Sequence, residues 1–288
     1  MQKKKRPTDM LLKAAIYLSA MVAVALILGI IIYVFVKGLH VVNWTFLSTV
    51  TSALKQTTGI LGNIFNTIYI IIVTLLITTP IGVGAAIYLS EYAKPGKLIS
   101  AIEFTTETLS GIPSVIFGLF GLIFFGNVFG LGYSILRGAL TLSIMVLPLI
   151  TRNTQEALRT VPDSYRSGAL GMGATKWYMI RIILLPSAMQ GILTGVILAV
   201  GRIVGESAAL LFTAGSGYML PKFKEGLGEN LAILSKKALE SGGTLTVELY
   251  LQMQNGKYDN AFGIACVLII IVLIINVLMK LIANRMKG

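Results

Sequence analysis

Long apolar runs separated by short polar segments are the dominant pattern of the chain. Five runs have the about 20 residues that a membrane-spanning helix needs, and they cover residues 14–36, 64–89, 110–129, 189–212 and 262–283. A helix rises about 1.5 Å per residue, so the first run reaches roughly 34 Å and can cross a hydrocarbon core of about 30 Å. The pattern predicts an all-α integral membrane protein.

A shorter apolar run at residues 138–150 cannot cross a membrane by itself. We expect its helix to begin near Tyr133, with Arg137 extending its charge to the outer interface. The same helix is expected to continue beyond the membrane and to end before Pro162. With this helix, the sequence predicts six transmembrane helices.

Prolines and small residues interrupt two of the predicted spans. Pro80 lies within the second span, and the third span begins with Gly111, Pro113, Ser114 and, one turn later, Gly118. Small residues allow membrane helices to approach closely, and a proline kinks a helix whose freed backbone groups must bond elsewhere. We expect close helix packing or kinks at these five positions.

Composition and charge agree with a membrane protein. Hydrophobic residues make up 55% of the 288 residues and charged residues 12%, whereas a soluble domain has about 25% charged residues. The mean hydropathy is +0.82. The net charge is +12, and most of the 24 lysines and arginines lie in segments that the helix count places on one side. This is the positive-inside pattern, so the charge indicates membrane topology and argues against nucleic-acid binding.

The same charge rule predicts that both termini are cytoplasmic. It places the basic residues 1–13, the turn broken by Pro95 and the tail at residues 284–288 inside. No small-residue cleavage site follows the first apolar run, so we expect this run to stay as the first span. The sequence therefore predicts a multi-pass protein of the cell membrane, in contact with lipid.

The predicted organisation has a long core between two short terminal parts. The parts are residues 1–60 (anchor, first helix and outer connection), 61–283 (transmembrane core) and 284–288 (cytoplasmic tail). The core contains a cytoplasmic loop at residues 156–186 and a glycine-rich outer loop at residues 213–260. Within the outer loop, residues 231–239 predict a short helix.

The segment at residues 164–186 is polar, basic and rich in small residues, although it lies between two apolar runs. Its candidate contact residues are Tyr165, Arg166, Ser167, Gly168, Ala169, Gly173, Ala174, Thr175, Lys176, Trp177 and Pro186. A loop that only joins two helices needs few residues, and small residues let another backbone come close. We interpret the segment as a docking surface for a cytosolic protein. The alternative is an amphipathic linker that rests on lipid headgroups.

Arg202 and Glu206 are the opposed charges within a predicted span. A charge at the bilayer centre costs about 2.5 to 3.5 kcal/mol, and a spacing of four residues lets the two neutralise each other on one helical face. Two interpretations stay open. The pair is either a structural salt bridge, or part of a polar pathway in which Arg202 binds an anion through its planar fork of donors. In the second case Ser207 adds a neutral hydrogen bond.

Motifs for nucleotide binding and hydrolysis are absent from the sequence. Residues 171–176 lack the spacing of a phosphate-binding loop, and the single His40 and single Cys266 exclude a catalytic triad and a disulfide framework. We expect no cofactor and no metal on this chain. Glu103 and Glu107 fall on one helical face, and we interpret them as carboxylates at the cytoplasmic mouth, satisfied by water or basic partners.

Residues 164–186 resemble the cytoplasmic EAA loop of binding-protein-dependent ABC importer permeases. The pattern of that family is E-A-A, three residues, Gly, nine residues and I-x-L-P, and here Gly173 is followed by nine residues and then by ILLP at residues 183–186. The sequence departs from the pattern at residues 167–169, which read SGA in place of E-A-A. No carboxylate therefore stands there for a salt bridge to an ATPase.

Within that family, the chain resembles the phosphate-specific permeases, and most of all their A-type subunit. The resemblance covers about residues 60–283. The motifs that carry it are GIPS at residues 111–114 with Gly118, EALR at 156–159 with Pro162, GATKW at 173–177 and GRIVGESA at 201–208.

The resemblance implies a type I ABC importer permease fold with a cytoplasmic coupling helix in the loop. It implies a homologous second permease, two cytosolic ATPase subunits that hold ATP and magnesium, and an extracytoplasmic phosphate-binding protein. Arg202 and Glu206 match the charged pair of the family's pathway helix. ATP binding would then pull on the docked loop, and inorganic phosphate would cross by alternating access.

Three alternatives remain at this point. The first is an ABC permease for another oxyanion or small polar solute. The second is a stand-alone channel or secondary transporter, a class that often has two matching halves, which this sequence does not show. The third is a membrane scaffold or sensor, in which the Arg202–Glu206 pair is only a structural bridge.

Overall fold

The computed structural model describes residues 7–52, 57–94 and 96–285. Residues 1–6 of the predicted basic anchor, the turn residue Pro95 and the tail residues 286–288 lie outside this part. Within it, the chain is mostly helical and contains one hairpin of two short antiparallel strands, in which Val50 pairs with Ile60.

The elements follow one another along the chain with short connections. In chain order they are α1 (Pro7–Gly38), α2 (Trp44–Ser48), β1 (Val50–Ser52), β2 (Thr57–Ile60), α3 (Leu61–Ile87), α4 (Lys97–Gly111), α5 (Ser114–Gly121), α6 (Ile135–Arg159), α7 (Asp163–Gly171), α8 (Lys176–Met179), α9 (Leu185–Val204), α10 (Ala208–Thr213), α11 (Leu227–Ala238), α12 (Leu245–Gln254) and α13 (Tyr258–Arg285). Wide π-helical turns extend α3 to Tyr92, α5 to Val128 and α8 to Leu184.

Five helical stretches in the described residues are long and apolar enough to cross a membrane. They contain α1, α3, α6, α9 and α13, which matches five of the six predicted spans. The short apolar run at residues 138–150 lies within α6, a continuous helix of 25 residues. The predicted short helix in the outer segment is present as α11. The all-α membrane fold expected from the apolar runs is therefore confirmed.

The third predicted span is a bent pair of helices and not one straight helix. The axes of α4 and of α5 with its extension differ in direction by 102°, and the described spans number six only if this pair counts as one. Ile112, between the two helices, has an extended backbone with φ −71° and ψ 132°. Because the ring of Pro113 clashes with a helical residue before it, the sequence forces the break at this point.

The other positions predicted for kinks or close packing differ from one another in their structural roles. α3 continues through Pro80 without ending there. Ser114 begins α5. A Cβ added at Gly118 would lie 2.8 Å from the Cα of Ala209, so α5 and α10 meet there in close contact. A Cβ at Gly111 would meet no described atom within 4 Å, so Gly111 is not a site of close packing, and it ends α4 directly before the bend.

α6 lies at the centre of the bundle, between α3 and α9. Its side chains Leu142, Val146 and Ile150 are fully buried. They belong to one apolar cluster that also includes Ile70 of α3 and Ile203 of α9. α1 instead packs along α13 and leaves most of its apolar side chains exposed, which is what a helix surrounded by lipid requires.

Arg137 does not extend to an outer interface as predicted. Its side chain is buried, with 3% exposed, and it donates hydrogen bonds to the carbonyl oxygens of Thr213 at 2.8 Å, Phe212 at 3.0 Å and Leu131 at 3.1 Å. The guanidinium also lies 4.4 Å from the ring centre of Tyr133. Since the last carbonyls of α10 have no partner inside their own short helix and carry partial negative charge, they bind the arginine.

The predicted outer loop turns back into the bundle. Residues 242–247 are buried, and the carbonyl of Gly243 accepts hydrogen bonds from the side-chain amides of Asn63 at 3.1 Å and Asn66 at 3.3 Å. The backbone N–H of Leu245 donates to the Thr67 hydroxyl at 2.9 Å. The polar residues that open α3 thus hold a backbone segment that is distant in sequence.

Two glycines on α3 provide a matched test of the α3–α6 contact. A Cβ at position 82 would lie 2.9 Å from Cγ2 of Ile150, whereas a Cβ at position 84 would meet no atom within 4 Å. Overpacking costs about 1 to 3 kcal/mol, while a change from glycine to alanine in a helix otherwise gains up to about 1 kcal/mol. We expect Gly82→Ala to lower the melting temperature of the purified protein, and Gly84→Ala to leave it unchanged or raise it. Equal melting temperatures would contradict this packing.

Candidate functional site

A cleft of about 270 Å³ with both polar and apolar walls opens between α4, α6 and α9. It is lined by Thr106, Glu107, Ser110, Met145, Pro148, Leu149, Arg152, Asn153 and Arg202. Pockets for drug-sized ligands measure about 300 to 1,000 Å³, so this cleft suits a smaller polar solute. Of the three predicted pathway residues, Arg202 lines the cleft, and Glu206 and Ser207 do not.

Arg202 and Glu206 do not share a helical face, and this prediction was wrong. α9 ends at Val204, and the next helix begins at Ala208, so the spacing of four residues spans a break. The Glu206 carboxylate accepts a hydrogen bond from the backbone N–H of Ala209 at 2.9 Å. Glu206 therefore serves the first turn of α10, whose free N–H groups need acceptors. In the described part of the chain, it forms no ion pair with Arg202.

Ser207 belongs to the same helix break and not to the cleft. It precedes the first residue of α10, and its carbonyl oxygen accepts a hydrogen bond from the N–H of Leu211 at 2.9 Å. The carbonyl oxygen of Glu206 accepts another from the Thr246 hydroxyl at 2.8 Å. Glu206 thus connects the start of α10 to Thr246 of α12, Ser207 directly precedes α10, and of the three predicted pathway residues only Arg202 lines the cleft.

The cleft brings together residues that are far apart in sequence. α6 contributes Arg152 and Asn153, and α4 contributes Glu107, on the opposite side of the bend from α5. Arg152 is exposed, and its Nε donates to Glu156 at 3.3 Å, with no further hydrogen bond among the described residues. For Arg202 the described residues provide no hydrogen-bond acceptor. Two guanidinium groups thus line one small cleft, and the planar donors of a guanidinium match the oxygens of an oxyanion.

The predicted docking segment folds as α7, a turn and α8. Tyr165, Trp177 and Tyr178 are exposed, and so are Ser167, Gly168, Lys176 and Pro186. On the inner side Ala169 is buried and packs, with the half-buried Ala174, against an apolar cluster that includes Leu158 and Ile180. The segment therefore presents aromatic and small residues on its exposed face, and its opposite face packs against the bundle.

Gly173 and Thr175 set the turn between α7 and α8. Gly173 has φ +83°, a left-handed conformation that costs other residues roughly 1 to 2 kcal/mol. The Thr175 hydroxyl accepts a hydrogen bond from the N–H of Tyr178 at 3.3 Å and so caps α8. The family pattern of one glycine at a fixed position thus corresponds to a turn that requires glycine.

Arg166 points into the chain and does not form part of the exposed surface. Its guanidinium donates to Glu91 at 2.9 and 3.1 Å, to the carbonyls of Leu158 at 2.9 Å and Val161 at 2.8 Å, and to Asp163 at 3.1 Å. All five of its N–H donors are then used. The hydrogen bond to Glu91 raises the pKa of Arg166 despite its partial burial. Arg166 thus connects α7 to the ends of both α6 and α3.

The sequence does not identify Glu91 as important, because a glutamate near the end of a helix does not reveal a partner 75 residues away. Only 6% of its side chain is exposed. Its backbone carbonyl accepts a hydrogen bond from Lys176, whose ammonium also lies 4.8 Å from the ring centre of Tyr92. Glu91 therefore contacts both helices of the docking segment.

Comparisons with known proteins place these features in a family context. The family described as "Binding-protein-dependent transport system inner membrane component" matches residues 78–288. The chain is 40% identical over 211 residues to the "Probable ABC transporter permease protein YqgI" of Bacillus subtilis (strain 168), an alignment that covers 73% of this chain and 72% of that protein. It is 37% identical over 178 residues to the "Phosphate transport system permease protein PstA" of Xylella fastidiosa (strain 9a5c), and this covers 62% of each chain.

A solved structure has a similar fold over nearly the whole chain. It is a crystal structure of a bacterial alginate ABC transporter in complex with an alginate pentasaccharide-bound periplasmic protein, with a TM-score of 0.66 and 17% sequence identity. The likeness covers 98% of this chain and 96% of that chain. At this identity it supports the fold alone, which is the type I permease fold that the sequence resemblance implied.

The contacts of Arg166 lead to a prediction about the stability of α7. Hydrogen bonds that involve a charged group contribute about 1.5 to 3 kcal/mol each, so we expect Arg166→Gln to raise amide hydrogen exchange in α7 by at least about ten-fold. Glu91→Gln leaves the two carbonyl acceptors in place and is expected to have a smaller effect. Arg159→Gln is the control, because Arg159 and its partner Glu103 are exposed and 3.8 Å apart. Unchanged exchange in the Arg166 variant would show that α7 is held by apolar packing alone.

Proposed function

The chain belongs to the binding-protein-dependent transport system inner membrane component family, and from this premise we propose that it carries inorganic phosphate into the cell. Its general function, as the permease subunit of an ABC importer, follows from the family and from its 40% identity to a probable ABC transporter permease. The chain is thus a transport subunit, and we assign ATP hydrolysis to separate ATPase subunits.

The observation that carries the phosphate proposal is the cleft with Arg152 and Arg202 on facing helices. Two guanidinium groups favour a small anion with several oxygens, and a volume of about 270 Å³ is enough for such an anion. The relative from Xylella fastidiosa, which is named a phosphate transport permease, supports the same cargo. We place the phosphate path along this cleft, with Arg202 as the main contact.

The exposed surface of α7 and α8 is the proposed docking site for the cytosolic ATPase subunits. Tyr165 and Trp177 offer apolar area there, and the small residues Ser167 and Gly168 allow close approach. Arg166 and Glu91 would pass movement of this segment to α3 and α6, because they bond all three elements. Closure of the ATPases on ATP would thereby move the walls of the cleft and give alternating access.

The remaining partners are a second permease subunit and an extracytoplasmic phosphate-binding protein. Arg202 is exposed on this chain, so a neighbouring permease would complete the path around it. The alginate transporter of similar fold was crystallised with a periplasmic protein, which supports a binding-protein partner on the outer side. The family is an inner membrane component, and we propose that both termini of this chain are cytoplasmic.

Uptake by the reconstituted complex tests the cargo and the role of Arg202. Liposomes that hold the permeases, the ATPases and the binding protein should take up labelled phosphate when ATP is present, and sulfate and molybdate should not compete. We expect Arg202→Gln to lower the uptake rate by about 10- to 100-fold, since it removes charged hydrogen bonds of about 1.5 to 3 kcal/mol. Arg285→Gln, at the end of α13, is the control. Normal uptake by the Arg202 variant would reduce this residue to structural support.

Replacement of Gly173 tests the docking proposal. A valine there would meet no described atom within 4 Å at its Cβ, but its backbone would have to keep φ +83°. We expect Gly173→Val to change the turn, so that ATPase subunits dissociate on purification or hydrolyse ATP without uptake. Gly132→Val, at a position on the predicted outer side with equally open space, serves as the control. Coupled transport at the normal rate in the Gly173 variant would argue against docking.

A further inference from the structure

One carboxylate lines the same cleft as the two arginines. Glu107 of α4 contributes to the walls together with Arg152, Asn153 and Arg202. Among the described residues, its side chain forms no salt bridge and no hydrogen bond. Glu103, one turn earlier on α4, instead pairs with Arg159 at 3.8 Å and does not line the cleft. The carboxylate of Glu107 is thus available to a ligand in the cleft.

A carboxylate has a definite chemical effect on an anion site. When ionised, it accepts hydrogen bonds and cannot donate them, and it repels a neighbouring negative charge. An oxyanion placed between Arg152, Arg202 and Glu107 therefore gains from the arginines but loses at the carboxylate, unless it carries an O–H group that points there. A missing donor leaves the acceptor unpaired, and such a mismatch discriminates between ligands when the site is closed to water. Glu107 is exposed on this chain, so the second permease would have to close the cleft around it.

Small oxyanions differ in this respect. Inorganic phosphate keeps at least one O–H group at neutral pH, whereas sulfate and molybdate keep none. The neutral groups of the cleft cannot make this distinction, because the hydroxyls of Thr106 and Ser110 and the amide of Asn153 can donate as well as accept. The carboxylate is the group in the cleft wall that can form a hydrogen bond with the cargo only if the cargo carries an O–H group.

We propose that Glu107 makes the cleft selective for oxyanions that retain a proton, by accepting a hydrogen bond from the O–H group of phosphate and repelling fully ionised anions. This inference rests on the proposed function of the cleft as an anion path, and it assigns a specificity-determining residue within it. The selection operates in the permease itself, in addition to any selection by a binding protein.

Equilibrium binding tests the proposal directly. The permeases and ATPases are assembled in lipid nanodiscs without the binding protein, which would itself bind anions, and are titrated with labelled inorganic phosphate and labelled sulfate. In the Glu107→Gln variant the amide can donate to sulfate, so we expect sulfate affinity to rise at least about ten-fold while phosphate affinity changes by less than about three-fold. Glu103→Gln, on the same helix and outside the cleft, is expected to bind both anions as the unmodified complex does. Glu107→Ser repeats the measurement with a shorter donor if the glutamine variant fails to assemble.

Three other outcomes would overturn the inference or its basis. If Glu107→Gln still excludes sulfate while phosphate binds, Glu107 is not the selective group, and the cleft remains an anion site. If affinities for phosphate and sulfate rise equally, Glu107 is only a counter-ion to the arginines. If the unmodified complex binds phosphate with an affinity that Arg202→Gln does not change, the anion does not bind in this cleft, and the proposed function of the cleft fails as well.

Discussion

The structure depends on one constraint, which is that every backbone group freed by a helix break in apolar surroundings must find a partner. The short helix α10, with the break that separates it from α9, is the main case. Arg137 binds the carbonyls at the end of α10, Glu206 accepts from the N–H of Ala209 at its beginning, and Thr246 binds the carbonyl of Glu206. Without these partners the break would cost several kcal/mol for each unpaired group, so the polar side chains and the irregular backbone require each other.

This constraint also decides which charge lines the cleft. Because Glu206 is engaged at the start of α10, the Arg202 guanidinium keeps no acidic partner in the described chain, and it meets Arg152 and Glu107 in the cleft instead. The break at Ile112 and Pro113 sets the angle of α4, which carries Glu107. Two interruptions of helical structure, each specified by local sequence, therefore bring three charged residues from three helices to one place.

The sequence predicts the fold well, because long apolar runs and one-sided basic residues are consequences of the bilayer alone. It also marks the segment proposed for docking through the fixed spacing around Gly173. It fails where a regular helix was assumed to continue. The spacing of Arg202 and Glu206 places them on one face only in an unbroken helix, and the glycine and serine at 205 and 207 fall where α9 gives way to α10. Contacts such as Arg166 with Glu91 depend on tertiary structure and leave no periodic signal.

The full use of the Arg166 donors has a consequence for how such permeases can be recombined. The docking segment carries its own exposed face, but its orientation is set by a carboxylate that comes from another part of the chain, at the end of α3. A chimera that exchanges residues 163–184 between two transporters would therefore lose the orientation of this segment, unless the residue at position 91 is transferred with it.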